Sequence, residues 1–207
     1  MDNKRFWNRC SKYYPGFIRH SKKTYRQIHK AIRPFLTRDM DVLELACGTG
    51  ELSISLSPYV RNWEATDFSP EMVKQAKKQL HTSRLHFSIQ DATKLPYCPE
   101  SFDAVVISNA LYIIPQPEKA LSEAWRVLKP GGFLFAPTFV WGKGPWARFR
   151  LWVMGLSGFR VYHPWNAGEL MAYLSEHRYA IIHHQLFGSK YAPLCCLIAR
   201  KLPLDRL

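Results

Sequence analysis

The stretch Val42-Leu43-Glu44-Leu45-Ala46-Cys47-Gly48-Thr49-Gly50 constrains this chain more than any other part of its 207 residues. Val42, Leu43, Leu45 and Ala46 make an apolar run short enough for one strand buried on both faces of a parallel sheet. Gly48-Thr49-Gly50 then predicts a tight turn, and Thr49 to Leu56 a helix with apolar residues at helical intervals. In such a strand–turn–helix unit the backbone approaches a nucleotide-like ligand closely, and the helix N-terminus points its free N–H groups at it. The third glycine of a G-x-G-x-x-G loop would fall at position 53, which is serine, and Ala46 stands in another glycine's place. Glu44, inside the strand, is expensive to bury unpaired and suits a cation better than a phosphate.

The acid-x-[GA]-x-G-x-G pattern from Glu44 to Gly50 resembles motif I of the class I S-adenosylmethionine (SAM) methyltransferases. Their cofactor carries an ammonium and a sulfonium and no phosphate. Taken alone, the turn also fits a nicotinamide-dependent enzyme or a purely structural glycine turn. A second strand, Arg61 to Thr66, ends at Asp67, where a βαβ nucleotide fold presents the carboxylate that accepts hydrogen bonds from ribose hydroxyls. Phe68 would then pack on the adenine. Ser69-Pro70-Glu71 reads as a helix start, with Met72, Val73, Ala76 and Leu80 as the buried stripe, and Asp-x-Ser-x-x-Met resembles the superfamily's next motif. Leu85 to Ile89 alternates as a third strand ended by Gln90-Asp91-Ala92. The resemblance implies that Asp91 accepts from the adenine amine and that the Ala92 N–H donates to the ring.

Leu95-Pro96-Tyr97 to Phe102-Asp103 resembles the superfamily's L-P-F-x-x-x-S-F-D run and leads into a fourth strand, Ala104 to Ile107. Ser108-Asn109-Ala110-Leu111-Tyr112 follows at the strand's carboxyl end, and lacks the Asn/Asp-Pro-Pro-aromatic sequence usual in enzymes that methylate bases. Glu118 to Val127 is an amphipathic helix, and Leu128-Lys129-Pro130-Gly131-Gly132 reads as a helix end and turn into a fifth strand, Phe133 to Ala136. Tyr179 to Phe187 and Leu194 to Ala199 should form an antiparallel pair. The expected fold is α/β: a Rossmann-like, seven-stranded, mostly parallel sheet with helices on both faces, an antiparallel last strand and an N-terminal helical lid. It forms a single methyltransferase domain over residues 1–207: lid 1–38, SAM-binding core 39–140, helical substrate-side insertion 141–170, and C-terminal helix end with the strand pair 171–207.

Charge is concentrated in the lid. Residues 1–38 carry a net +10 and the remaining 169 only +3. A basic arm of this kind can be a solvated lid that attracts acidic substrates, or can bind nucleic acid or anionic lipid. Within it, Asn3 to Cys10 and Ser21 to Arg33 read as helices flanking the turn Tyr13-Tyr14-Pro15-Gly16. Trp7, Tyr13 and Tyr14 resemble a W-x-x-x-A-x-x-Y-D segment that folds over the cofactor, with Pro15 in place of the acid. Trp141 to Arg160 carries three tryptophans, two phenylalanines and four basic residues, and no acid. Its helical face Phe149, Trp152, Val153, Leu156 leaves three readings open: a pocket wall for an aromatic or apolar substrate, a membrane surface, or a stacking platform. No uncharged apolar run reaches the roughly 18 residues of a bilayer span. The N-terminal residues lack a signal peptide's apolar core, so a cytoplasmic enzyme is expected. Five cysteines without a C-x-x-C pair predict neither a zinc nor a disulfide framework, and no metal is expected.

The expected reaction is transfer of a methyl group from SAM to an oxygen, nitrogen or sulfur of a small-molecule acceptor, releasing S-adenosylhomocysteine. Alternatives are a phospholipid headgroup or other amphiphile at a membrane surface, RNA, and SAM binding without turnover. A sulfonium methyl is already activated, so in-line placement at about 3 Å and exclusion of water carry most of the chemistry. Expected cofactor contacts are Tyr14, Glu44, Ala46, Cys47, Gly48, Gly50, Asp67, Phe68, Met72, Asp91, Ala92 and Asn109, with Glu44, Asp67 and Asp91 jointly gripping the ligand. Candidates facing the methyl are Asn109, Tyr112, Tyr14 and His163, the last alone having a near-neutral reference pKa.

Overall fold

The computed structural model describes residues 3–14, 22–79, 82–142, 144–189 and 192–202. The expected turn at Pro15-Gly16, the helix start at Ser21 and Leu80 on the buried stripe lie outside them. Seven strands, β1 (Asp41–Leu45), β2 (Asn62–Asp67), β3 (Leu85–Ile89), β4 (Phe102–Ile107), β5 (Leu128–Phe139), β6 (Tyr179–Ser189) and β7 (Ala192–Lys201), form one sheet in the order β3-β2-β1-β4-β5-β7-β6. Neighbours from β3 to β5 pair in parallel, and β7 runs antiparallel to both β5 and β6. The chain leaves β1 toward β2 and β3 on one side, then returns to place β4 on the other. That switch of direction opens a crevice beyond the carboxyl ends of β1 and β4.

Alternation along β1 sends successive side chains to opposite faces, and both faces are covered. Val42 joins a core with Ile28 and Ile32 of α2 (Lys22–Ile32), Leu52 and Leu56 of α3 (Glu51–Leu56), and Val73 and Ala76 of α4 (Pro70–Ala76). Leu43 and Leu45 join Leu121, Ala124 and Val127 of α5 (Pro117–Val127) and Leu170 and Leu174 of α7 (Ala167–Glu176). Apart from these layers, α1 (Asn3–Cys10) and α6 (Pro145–Leu156) meet above the strand tips. Phe6 and Trp7 of α1 pack their rings 5.2 and 5.5 Å from that of Phe159, just past α6.

Local signals act where the sequence places them. Ser69 caps α4 by accepting from the Met72 N–H at 3.2 Å, with Pro70 in the first helical position. Asn166 and Glu169 form a reciprocal capping box at the start of α7. The Leu128–Gly132 phrase differs from its reading as helix end and turn, because it already belongs to β5. Leu128 pairs with Phe102 and Phe133 with Ala104, so β5 advances five residues while β4 advances two. A bulge absorbs the excess, with Gly131 at φ +71°.

Asn166→Ala removes the side-chain half of the capping box that starts α7. It is expected to cost about 1 kcal/mol and a few degrees in melting temperature, read by thermal denaturation.

Candidate active site

The turn after β1 bends through three left-handed residues, Ala46 (φ +55°), Gly48 (φ +58°) and Gly50 (φ +83°). Gly50 cannot be replaced at ordinary cost, because a Cβ there would lie 2.8 Å from the Phe87 ring. Ala46 holds a conformation that side chains rarely adopt, a small local strain in the loop itself. The Cys47 N–H donates to the Thr66 carbonyl at 2.9 Å, which moors the turn to β2. Asp67, at the tip of β2, accepts from the Gly48 N–H and the Ser69 N–H, both at 2.8 Å. Burial holds the Asp67 carboxyl above the ordinary carboxylate range, and those two N–H groups pull it back down.

A cavity of about 790 Å³ opens at these strand tips. Its walls bring together Tyr14, Ala46, Gly48, Asp67, Phe68, Met72, Asp91, Ala92, Asn109 and Tyr112 from the predicted set. Asp91 caps its own turn, its Oδ1 accepting from the Thr93 N–H at 2.9 Å and the Thr93 hydroxyl at 2.7 Å. Phe68 takes the Lys4 ammonium 3.9 Å from its ring centre, so α1 is held against this end of the cavity. Ser69 also donates to the Asn8 side chain at 2.5 Å. Phe6, Trp7, Phe139, Trp141, Met154 and Phe159 add an apolar, mostly aromatic part of the wall.

Four predicted residues stand elsewhere. Glu44 is not on the cavity wall: it lies buried, accepting from the Ser53 hydroxyl at 2.5 Å and the Trp63 indole N–H at 2.9 Å. It therefore joins α3 to β2, and the expected three-carboxylate grip reduces to Asp67 and Asp91. Desolvation raises its carboxyl to about 7. Cys47 and Gly50 shape the turn from behind without lining the cavity, and burial pushes the Cys47 thiol well up. His163 lies off the wall with its ring stacked on Trp165, centroids 4.9 Å apart. The face Phe149, Trp152, Val153, Leu156 is exposed, and Arg150 and Met154, from the far side of α6, are what reach the cavity.

Tyr25 of α2 also lines the cavity, a site residue absent from the predicted set. Its hydroxyl hydrogen-bonds both the Tyr14 hydroxyl and the Asn109 side chain, so it links the lid to the tip of β4. Helical spacing locates such a ring but carries no information about where its hydroxyl ends. Asn109 takes φ +52°, a left-handed position that asparagine tolerates better than most residues. Burial raises the hydroxyls of Tyr14, Tyr25 and Tyr112, so all three stay protonated at neutral pH.

Gly50→Ala is expected to destabilise the fold by more than about 1 kcal/mol, since left-handed strain and the Phe87 contact add; chemical denaturation measures it. Glu44 gives a pH signature. Its folded pKa lies above the unfolded value, so its contribution is fully present below about pH 4.5 and is lost as pH rises through about 7. Stability should fall by on the order of 2–3 kcal/mol across that window in the native chain. Glu44→Gln should flatten the profile, and unchanged slopes in the two proteins would contradict the assignment.

Residues 43–136 match the family described as methyltransferase domain. A demethylmenaquinone methyltransferase of Leptospira interrogans is 35% identical over 149 residues, 65% of this chain and 59% of that protein. The chain thus spans less than two thirds of that relative's length. Among solved structures, the N-methyltransferase NodS of Bradyrhizobium japonicum, in complex with S-adenosylhomocysteine, superposes with a TM-score of 0.69 at 18% identity. The alignment covers 87% of this chain and 86% of NodS. A SAM-dependent methyltransferase of Methanosarcina mazei gives a TM-score of 0.67 at 21% identity over 83% of this chain and 97% of that one. At these identities the structural likeness speaks for the fold, and the domain match speaks for residues 43–136. The chain is thus similar to the class I SAM-dependent methyltransferases, in sequence over residues 43–136 and in fold over most of its length.

Proposed function

We propose that this protein transfers the methyl group of SAM to a small, apolar, aromatic acceptor. The observation that carries the reading is one cavity that joins polar groups at the strand tips with an aromatic wall from α1, β5 and the segment after α6. The polar part fits the cofactor. Asp67 and Asp91 would supply acceptor oxygens for ribose hydroxyls and an adenine amine, and Ala92 and Phe68 line the same cavity. Ser108 Oγ and Asn109 Oδ1, at the tip of β4, have no hydrogen-bond partner among the described residues. Relatives named demethylmenaquinone methyltransferase support an apolar acceptor presented as the reduced, electron-rich quinol, which the aromatic wall suits.

Bound SAM supplies a sulfonium-activated methyl, so the residues of this chain need only hold, orient and keep water out. Tyr14 and Tyr112, kept protonated by burial, donate hydrogen bonds and do not act as bases. With His163 off the wall, an acceptor that is itself nucleophilic is favoured over one needing a neutral-pH base. The Tyr25 hydroxyl holds Tyr14 and Asn109 in register across the cavity mouth.

Calorimetry with SAM, S-adenosylhomocysteine and NAD should show affinity for the first two alone. Asp91→Asn keeps the turn-capping oxygen but replaces an acceptor by a donor. It should weaken SAM binding by about tenfold, roughly 1.4 kcal/mol. Labelled-methyl transfer into quinol-type and phenolic acceptors, compared with thiols, amines and lipids, tests the substrate class. No affinity for SAM would overturn the reading.

A further inference from the structure

We infer that α6 is an interfacial anchor that docks the protein on an anionic phospholipid surface. The helix has two working faces. Arg150 and Met154 line the cavity, and Leu151 and Met154 pack against the cluster of Tyr112, Trp141 and Phe159. On the other side Phe149, Trp152, Val153 and Leu156 are 53, 61, 44 and 70% exposed. At 100° per residue these four fall within an arc of about 100°, one continuous apolar stripe turned away from the fold. Phe149 and Trp152 sit side by side, ring centroids 6.0 Å apart. A patch of this kind, rimmed by polar groups, marks a contact surface.

The rim is cationic. Arg148 flanks the stripe, Arg150 turns away from it to the cavity with its guanidinium 5.4 Å from the centre of the Trp141 ring, and no acid occurs from Trp141 to Arg160. The Arg9 guanidinium reaches the end of α6, 3.6 Å from where a Cβ on Gly158 would stand. Arg9 belongs to the segment 1–38, whose sequence carries a net +10. Apolar residues in the middle and arginines at the edges match acyl chains below a layer of anionic headgroups. A second copy of this chain would set arginine against arginine across the contact. Nucleic acid would leave the aliphatic Val153 and Leu156 against sugar and phosphate, where stacking gains nothing. The contact is one of lying on the bilayer, since among the described residues no helix is long and apolar enough to cross it.

The docking stands whatever the reaction is. One consequence rests on the methyltransferase reading: because the same helix walls the aromatic part of the cavity, a lipid-dissolved acceptor would enter next to the bilayer.

The test is co-sedimentation of the full chain with sucrose-loaded vesicles of phosphatidylcholine alone and of phosphatidylcholine mixed with phosphatidylglycerol. The native chain should bind the mixed vesicles, bind phosphatidylcholine at least tenfold less, and be released in part by salt. Trp152→Glu with Leu156→Glu should lower binding tenfold or more while leaving SAM affinity by calorimetry unchanged, which shows the fold intact. Equal sedimentation of native and variant chains would overturn the assignment. So would a native dimer that the variant dissolves, or polyuridylate binding, without vesicle binding, that the variant abolishes. SAM affinity and methyl transfer, read separately, show whether the reaction or only the docking has failed.

Discussion

The Asp67 carboxylate accepts the N–H of Gly48 and that of Ser69, each at 2.8 Å, and most of the site follows from that pair of bonds. They fasten the glycine turn after β1 to the tip of β2 and to the cap of α4. Beneath them the buried Glu44 holds Ser53 of α3 and the Trp63 indole of β2, so the helix that starts at the turn is fixed against the sheet. Two carboxyl groups thus share one structure. One opens on the cavity, and the other is sealed under it, where burial costs it its charge near neutral pH. The structure keeps a polar floor rigid because both acids are hydrogen-bonded where they stand.

Around that floor the lid is held by polar contacts as much as by packing. Ser69 donates to Asn8, Lys4 covers the face of Phe68, and Asn3 donates to the carbonyls of Ile113 and Arg160 at 3.0 and 2.9 Å. These contacts fasten α1 over the tips of β2 and β4 and against the segment that follows α6. Tyr25 of α2 stands between Tyr14 and Asn109 and interacts with both.

The strained positions have the same logic. Ala46 and Asn109, both non-glycine and both left-handed, stand at the ends of β1 and β4 on either side of the switch point. The backbone there turns sharply outward and exposes groups that a regular strand would pair. Pairing continues nearby, as in the Asn109 N–H to the Pro137 carbonyl at 2.7 Å, so the strain is local.

By itself the sequence determined which segments become strands, through apolar runs and the motifs between them, and the identity of the turns through residues that act locally. Ser69 caps α4 because a hydroxyl reaches an N–H three residues on, and Gly50 takes a left-handed turn because it has no Cβ. Tertiary structure alone decided which way each acid faces. Glu44 and Asp67 are both acids on adjacent strands, yet one meets Ser53 and Trp63 and the other meets the cavity. It likewise turned the apolar stripe of α6 outward and its arginine and methionine inward. Helical period fixes which residues share a face, but the packing of distant segments such as Phe159 on Phe6 chooses which face is buried.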